Sequence, residues 1–367
     1  MTSVIIDCDP GHDDALAILL AAKHLDVLGI TTVSGNESID NVTTNALKLV
    51  EVGNLTHIPV VRGAEGPLLR EAVYAPQVHG KSGMDGAEIP EPTTKLKEGH
   101  AVDFIIDTVM STSDVVLLPM GPLTNIALAL RKEPRLRDRV KLMSIMGGSS
   151  TNGNITPTAE FNIYVDAEAA DIVYQSQIPM LMSGLNLTRQ VLAKQEHIDE
   201  IRAINNPTTS VVADLLTFYL GTSTRHSHDG AAMHDPCAVA AIIDPTLIEF
   251  EPMHVAVETA GAHTYGMTVC DDRPGSVKSK EANVEVAVKI DSDRFFKLLI
   301  GIDKFCGRFL YAGFQAGVGL IHRPHQSLVF QTQFTFFQDV SHRGADSLSY
   351  FFQLLEEIQN EGIIFYD

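Results

Sequence analysis

The sequence contains few cysteines, and no two of them are close together. Cys8, Cys237, Cys270 and Cys306 are spread along the 367 residues without a CxxC motif. Such spacing indicates neither a disulfide framework nor a cysteine-rich zinc site. A protein of the reducing cytosol fits this pattern.

Positive charge is also scarce. The chain has 27 lysines and arginines against 46 aspartates and glutamates, which gives a formal net charge of −19. Because nucleic acids and anionic membranes bind basic surfaces, this balance argues against both as partners. A basic leader, a signal-like apolar region and an apolar run of membrane-spanning length are all missing from the sequence. We therefore expect a soluble, cytoplasmic protein.

Hydrophobic residues make up 45% of the chain, which is enough for a large core. Short β-branched runs alternate with longer helical patterns. The predicted strands are Val4–Ile6, Val27–Val33, Ile58–Val61, Asp114–Pro119, Val140–Met146 and Pro179–Met182, and the predicted helices include Ile39–Val52, Ala101–Met110, Leu123–Arg131, Asp166–Gln175 and Thr208–Leu220. Apolar strands without a polar face are typical of parallel sheets covered on both sides. The sequence thus predicts a single large α/β domain with an open, mostly parallel central sheet and helices on both faces.

Four aspartates lie within eight residues near the start of the chain. The segment DCDPGHDD, residues 7–14, follows one apolar run and precedes another. That order predicts a buried strand, a tight turn and a helix with two carboxylates in its first turn. Carboxylates so close together repel one another unless a cation lies among them, and oxygen ligands favour Ca²⁺ or Mg²⁺. Helix capping would account for Asp13 or Asp14, but not for Asp7 and Asp9 at the strand end.

Small and polar residues follow the carboxyl ends of the other predicted strands. They are Ser34–Asn36, His79–Gly83, Met120–Pro122 and the segment from Gly147 to Asn162. Ligands of parallel α/β sheets bind at this edge, so these segments are candidates for a binding site. A further aspartate, Asp235, precedes Pro236 and an apolar stretch, a pattern that by itself is typical of a helix N-cap.

The composition changes after Phe305. Residues 306–367 are rich in phenylalanine and glutamine, and their apolar residues are irregularly spaced. We expect one large domain over residues 1–305 and a C-terminal extension over residues 306–367. A loosely ordered extension is one expectation, and the apolar content of these residues favours packing over free motion.

Several segments resemble one enzyme family. Residues 7–14 are similar to the N-terminal signature of the nucleoside hydrolases, the inosine/uridine-preferring nucleoside N-ribohydrolases. Further segments resemble family blocks in the same order: Thr31–Asn36, His79–Met84, Met120–Asn125, Met146–Gly148, Ala159–Asn162, His234–Ala238 and Gly266–Val269. The resemblance covers residues 2–305 and is specific, because an aspartate block and a distant His-Asp-Pro block rarely coincide by chance.

The resemblance implies an enzyme of nucleoside salvage that cleaves the N-glycosidic bond of ribonucleosides with one tightly bound Ca²⁺. Its products would be ribose and the free base. The metal ligands would be the carboxylates of Asp9, Asp14 and Asp235 and the backbone carbonyl of Met120. Asp9 would also deprotonate the attacking water, and Asp7 would support the site from behind. The family further implies a homo-oligomer, either a dimer or a tetramer.

The resemblance also implies which residues bind the substrate. The expected ribose contacts are Asp13, Asn36 and Asn162, with Asn154 and Glu160 on the 5′-hydroxyl side. His79 and His234 lie where the family contacts the base. His234 is the first choice for protonating the departing base, followed by His79 and then by Arg225, His226 or His228. Base specificity depends on residues 219–233, so the choice between purines and pyrimidines stays open.

Two other functions compete with this one. The first is a non-catalytic nucleoside-binding protein of the same fold, although no residue of the catalytic set is missing. The second is a Mg²⁺-dependent phosphatase with an aspartyl nucleophile, because Asp7 and Asp9 form a DxD motif. Pro10-Gly11 stands where those phosphatases usually carry threonine or valine, and no matching lysine block is evident.

Overall fold

The structure of the protein, a computed structural model, describes residues 1–225, 229–274 and 280–301. Residues Met1–Asp303 belong to one compact unit. The predicted boundary at residue 305 and the extension 306–367 lie outside the described residues and stay predictions. None of the described helices is long and apolar enough to cross a bilayer.

The described residues contain eleven strands. In chain order they are β1 (Ser3–Cys8), β2 (Asp26–Thr32), β3 (Val60–Arg62), β4 (Val116–Pro119), β5 (Leu142–Met146), β6 (Met180–Ser183), β7 (Leu192–Ala193), β8 (Ala231–Ala232), β9 (Ile248–Val257), β10 (Thr268–Asp271) and β11 (Val284–Ile290). Nine of them form the central sheet, and β7 pairs with β8 in a separate antiparallel ribbon.

The order of strands in the sheet is β3-β2-β1-β4-β5-β6-β11-β9-β10. Neighbouring strands from β3 to β11 run parallel, whereas β9 is antiparallel to both of its neighbours. The prediction of an open, mostly parallel sheet is confirmed. From β1 the chain builds outward to β2 and β3 on one side, and then to β4, β5 and β6 on the other. Such a switch point opens a crevice at the carboxyl ends of its two strands, here β1 and β4.

Twelve α-helices accompany these strands within the described residues. They are α1 (His12–His24), α2 (Ile39–Val52), α3 (Pro76–His79), α4 (Ala101–Ser111), α5 (Thr124–Lys132), α6 (Phe161–Val165), α7 (Ala167–Tyr174), α8 (Leu185–Thr188), α9 (Gln195–Ala203), α10 (Pro207–Arg225), α11 (His234–Ile243) and α12 (Ser292–Ile300). Short 3₁₀ helices cover Pro134–Asp138 and Pro245–Leu247.

Helices cover both faces of the sheet, as predicted. Met143 and Ile145 of β5 belong to a buried cluster that includes side chains of α4, α5 and α7. Between them, the Ser144 hydroxyl donates a hydrogen bond to the carbonyl of Ala238 in α11. Because successive side chains of a strand point to opposite faces, α11 lies on the face away from that cluster.

Most predicted elements are present with small shifts of their ends. The helix Ile39–Val52 is found where it was predicted, and the Ser38 side chain accepts from the Asn41 N–H at its start. The strand predicted at Asp114 begins at Val116 instead. Asp114 has a φ of 58°, in the left-handed region, which is incompatible with a strand.

Candidate active site

The end of β1 and the start of α1 carry the aspartate cluster into the crevice. Gly11 is the cap residue of α1, and its backbone N–H donates to Asp14 Oδ2 at 2.8 Å. Asp13 and Asp14 therefore lie in the first turn of the helix, as predicted. Asp9 precedes the turn, between the ends of β2 and β4.

Asp235 lies 222 residues after Asp13 in the sequence. It joins the cluster because α11 packs against α1. The local pattern at Asp235 is typical of a helix cap, but Asp235 does not occupy the cap position. The helix begins at His234 with Met233 as its cap residue, so Asp235 is already inside the first turn. Its backbone N–H points to Asp13 Oδ2 at 3.4 Å. The Asp235 carboxylate is 3% exposed and faces the other aspartates.

Three of these carboxylates form a compact group. Asp13, Asp14 and Asp235 each offer an oxygen within 4.8 Å of the others. Burial, followed by the charge of Asp14, raises the pKa of Asp13 to about 7, and burial raises that of Asp14 to about 6. Burial and the neighbouring carboxylates also raise the pKa values of Asp9 and Asp235. The charged forms of the four groups thus destabilise one another in the absence of a compensating cation.

The donor set fits a hard cation. Asp9 Oδ1 and Asp14 Oδ1 are buried, and neither has a hydrogen-bond partner among the described residues. The ion pairs found in the described parts of the chain all lie elsewhere. Buried carboxylate oxygens without protein partners are suitable ligands for Ca²⁺ or Mg²⁺, which bind oxygen.

Asp7 lies behind this group. Its Oδ1 accepts hydrogen bonds from Thr31 Oγ1 at 2.6 Å and from Asn125 Nδ2 at 2.8 Å. The same Asn125 amide nitrogen also donates to the carbonyl of Thr32. Asp7 thus links β1 to β2 and α5 at the edge where the site lies.

A cavity of ≈ 340 Å³ opens above the cluster. Its walls include most of the predicted site residues: Asp13, Asn36, His79, Met120, Asn154, Glu160, Asn162, His234 and Asp235. Asp9 and Asp14 are buried beside it, at 1% and 0% exposure. The volume falls within the range of small-molecule sites.

Polar residues on one side of the cavity are held in place by hydrogen bonds. Asn162 Nδ2 donates to the carbonyls of Met120 at 3.1 Å and Met146 at 3.3 Å. The Glu160 carboxylate accepts from the backbone N–H groups of Gly148 and Asn162 at 2.9 Å and 3.0 Å. Burial raises the pKa of Glu160 above its ordinary value, although these hydrogen bonds oppose the shift. The Met120 carbonyl predicted as a ligand therefore faces the same cavity as the predicted ribose contacts.

Two predicted histidines also line the cavity. His79 is 6% exposed, and burial lowers its pKa well below the ordinary value. His234 Nδ1 lies 2.7 Å from the Thr188 hydroxyl. Tyr219 also lines the cavity, and Arg225 is the last residue of α10. The weaker candidates His226 and His228 lie outside the described residues.

Sequence reasoning assigned no role to two residues of this region. His12 stands inside the aspartate motif and is fully buried against His79. Arg189 lines the cavity and donates to the carbonyls of Asn152 and Gly153, next to the predicted contact Asn154. The rule that sites form after strand ends could have indicated Arg189, because it follows β6.

The chain matches known proteins over most of its length. Residues 4–297 match the family model described as inosine-uridine preferring nucleoside hydrolase. The pyrimidine-specific ribonucleoside hydrolase RihA of Photobacterium profundum is 45% identical over 273 residues, which cover 73% of this chain and 88% of that protein. RihA of Escherichia coli strain K12 is 42% identical over 307 residues, or 82% of this chain and 98% of that protein.

Solved structures agree with this assignment. A purine-preferring ribonucleoside hydrolase from Gardnerella vaginalis aligns with a TM-score of 0.77 and 32% identity, covering 83% of this chain and 98% of that one. An inosine-uridine preferring nucleoside hydrolase from Bacillus anthracis, 20% identical, has the same fold with a TM-score of 0.69 over 83% of this chain and 100% of that one. Together with the buried carboxylates at the switch point, these matches place the chain in the inosine-uridine preferring nucleoside hydrolase family.

Proposed function

We propose that the protein hydrolyses the N-glycosidic bond of pyrimidine ribonucleosides with one bound Ca²⁺ and releases ribose and the free base. The observation that carries the proposal is the group of four buried carboxylates, Asp9, Asp13, Asp14 and Asp235, beside a nucleoside-sized cavity. The preference for pyrimidines rests on the relatives described as pyrimidine-specific.

Asp9, Asp14, Asp235 and the Met120 carbonyl would hold the ion. Asp13 offers a further oxygen within 4.8 Å of oxygens of Asp14 and Asp235. When bound, Ca²⁺ neutralises these carboxylates, orients the ribose hydroxyls and makes a nearby water more acidic. Ca²⁺ suits this set better than Mg²⁺, because Ca²⁺ accepts more oxygen ligands in a less regular geometry.

Asp9 is the residue best placed to take the proton of the attacking water. Its Oδ2 accepts from the Asn36 backbone N–H at 2.7 Å, which fixes the carboxylate. Its Oδ1 has no partner among the described residues and is available as a proton acceptor.

The remaining carboxylates stabilise the sugar as the bond breaks. The ribosyl group develops positive charge in an oxocarbenium-like transition state. Asp13 and Glu160 both line the cavity, so their negative charge would lie close to the sugar. Asn36 and Asn162 would bind ribose hydroxyls, and Asn154 with Glu160 would bind the 5′-hydroxyl side. Such fixed charges cost no reorganisation during the reaction.

The departing base accumulates negative charge and needs a hydrogen-bond donor. His234 is our first choice, because the Thr188 hydroxyl at 2.7 Å from Nδ1 fixes the orientation of its ring. His79, which also lines the cavity, is the second choice. A histidine suits this step because its protonation is readily adjusted near neutral pH.

A panel of nucleosides tests the substrate class. We expect Ca²⁺-loaded protein to release base from uridine and cytidine faster than from inosine, adenosine or guanosine, as measured by chromatography. We expect 2′-deoxyuridine to react at least about 100-fold more slowly, because sites that bind a substrate hydroxyl reject analogues without it. Unchanged uridine after prolonged incubation would instead support a non-catalytic nucleoside-binding protein. Hydrolysis of p-nitrophenyl phosphate in place of nucleosides would support the phosphatase.

The space around Asp9 gives a second prediction. A Cβ atom on Gly35 would lie 2.1 Å from Asp9 Oδ2 and 2.7 Å from Pro122 Cδ, so Gly35→Ala must displace the carboxylate. We expect kcat/KM for uridine to fall by about 100-fold, the cost of a displacement near 1 Å in an active site. The matched control is Gly66→Ala, because no atom lies within 4 Å of a Cβ there. Equal rates for the two variants would contradict the assigned position of Asp9.

We also retain three expectations from the sequence as proposals. The catalytic domain ends near residue 305, the protein forms a homo-oligomer, and it acts in the cytoplasm. The oligomer rests on the family resemblance, the domain boundary on the change in composition after Phe305, and the cytoplasmic location on the spacing of the cysteines.

A further inference from the structure

Four aromatic rings stack beside the cavity, those of His12, His79, Phe218 and Tyr219. The ring of His12 lies 5.3 Å from that of His79, 5.1 Å from Phe218 and 5.5 Å from Tyr219, measured between centroids. His12 has no exposed surface, whereas His79 and Tyr219 line the cavity. His12 therefore reaches the cavity only through its neighbours.

The hydrogen bonds of His12 fix the position of its own hydrogen. His12 Nε2 lies 2.8 Å from the carbonyl oxygen of Asp85. A carbonyl oxygen can only accept, so Nε2 of His12 carries hydrogen. The carbonyl is itself held in place, because the Asp85 side chain accepts from the N–H groups of Lys81 and Ser82 and its backbone N–H donates to the His79 carbonyl.

The contact between the two histidines then determines the tautomer of His79. Nδ1 of His12 and Nδ1 of His79 are 3.0 Å apart, so one donates and the other accepts. A fully buried cationic His12 with a carbonyl and a histidine as its hydrogen-bond partners would be costly. In neutral His12 with hydrogen on Nε2, Nδ1 is an acceptor. His79 consequently carries its hydrogen on Nδ1.

The close approach of the two rings depends on Gly11. A Cβ atom at that position would lie 2.7 Å from His79 Nδ1 and 2.9 Å from His79 Cε1. The φ of Gly11 is −117°, so its role is to leave space for the His79 ring and not to adopt an unusual backbone conformation. The motif thus supplies both the space and the partner for His79.

We propose that His12 is a positioning residue that fixes the Nδ1–H tautomer of His79, so that Nε2 of His79 meets the base as a hydrogen-bond acceptor. His79 Nε2 makes no hydrogen bond within the described residues, and His79 lines the cavity. An acceptor at this place selects bases that present an N–H group, such as N3–H of uracil or the amino group of cytosine. This inference rests on the proposed function, and it leaves proton donation to the departing base with His234.

Nitrogen NMR of protein labelled with ¹⁵N-histidine tests the tautomer without any substrate. We expect wild-type His79 to show a protonated Nδ1 and an unprotonated Nε2, with the signals assigned by their loss in His79→Gln. In His12→Phe, which keeps a stacked ring but lacks Nδ1, we expect the tautomer to shift towards Nε2–H. A wild-type His79 protonated on Nε2 alone would overturn the inference.

Kinetics with two ribosides then test the consequence for the base. Uridine and p-nitrophenyl β-D-ribofuranoside share the sugar, but the second has no N–H group to donate. In His12→Phe we expect the ratio of kcat/KM for uridine to that for the p-nitrophenyl riboside to fall about tenfold, mainly through KM for uridine, as for the loss of one hydrogen bond. His12→Asn, whose side-chain oxygen can replace Nδ1 as an acceptor, should recover most of the ratio.

The outcomes separate this inference from the proposed function. Equal losses for both ribosides in His12→Phe would mean that His12 only supports the fold, and would overturn the inference while the enzyme stays a nucleoside hydrolase. A wild-type protein that cleaves neither riboside would contradict the proposed function. The NMR result would still decide the tautomer of His79.

Discussion

Asp235→Asn is expected to abolish measurable release of uracil from uridine, with kcat/KM lowered by roughly 10³-fold or more, since the site loses a charged group that positions the reacting centre. Asp235 contributes a buried oxygen within 4.8 Å of oxygens of Asp13 and Asp14. An amide is a weaker ligand for Ca²⁺ and carries no negative charge. Initial rates with saturating Ca²⁺ measure the effect.

The same substitution should have the opposite effect on the stability of ion-free protein. The pKa of Asp235 is raised by burial and by three neighbouring carboxylates, so its charged form destabilises the fold near neutral pH. We expect the melting temperature of ion-free Asp235→Asn to exceed that of ion-free wild type by a few degrees. Asp138→Asn, on an exposed 3₁₀ helix, is the matched control and should change neither property. An active Asp235→Asn enzyme would contradict the assignment of Asp235 to the metal site.

Removal of the divalent cation is expected to have the second large effect. Dialysis against a chelator should abolish uridine hydrolysis, and added Ca²⁺ should restore it. Ca²⁺ should also stabilise the folded protein by about 2.7 kcal/mol at 100 times its dissociation constant, if the unfolded chain does not bind it. Calorimetric melting at increasing Ca²⁺ concentrations measures this gain.

Asp235→Asn provides the control for the removal and addition of Ca²⁺. Asp235→Asn should show a much smaller rise of melting temperature with Ca²⁺ than wild type, because one charged oxygen ligand is lost. Mg²⁺ should restore less activity than Ca²⁺, since Mg²⁺ requires a near-octahedral site and releases its waters reluctantly. Full activity after thorough chelation would show that the carboxylates work without a cation.

Local patterns in the sequence predicted much of the fold. Apolar runs such as Val4–Ile6 are buried in a parallel sheet, and Ile39–Val52 forms a helix that begins at Ser38. The direction of β9 could not be predicted in this way. Its residues have the same alternation that any strand would have, and its antiparallel pairing with β11 depends on the path of the connecting chain. The two-residue strands β7 and β8 are too short to show a period.

The sequence predicted the clustered aspartates of the site more readily than it predicted the position of Asp235. Asp7, Asp9, Asp13 and Asp14 are neighbours in sequence, and the position of a strand end was enough to bring them together. Asp235 was harder, because its place depends on the packing of α11 against α1. Its local sequence was equally typical of a helix cap.

The partner of His12 could not be read from the sequence at all. The bond to Asp85 forms only because the loop after α3 folds back over the start of α1. The sequence shows only a histidine that precedes an apolar helical stretch, and this pattern does not indicate which residue His12 contacts.

The proposed hydrolysis is tested most directly by a stoichiometric assay of uridine cleavage by Ca²⁺-loaded wild-type protein and by Asp9→Ala. We predict equimolar uracil and ribose from the wild type, and from Asp9→Ala a folded protein with no measurable release of either. Release at the wild-type rate by Asp9→Ala would contradict the role of Asp9, and uridine left intact by the wild type would contradict the proposed function.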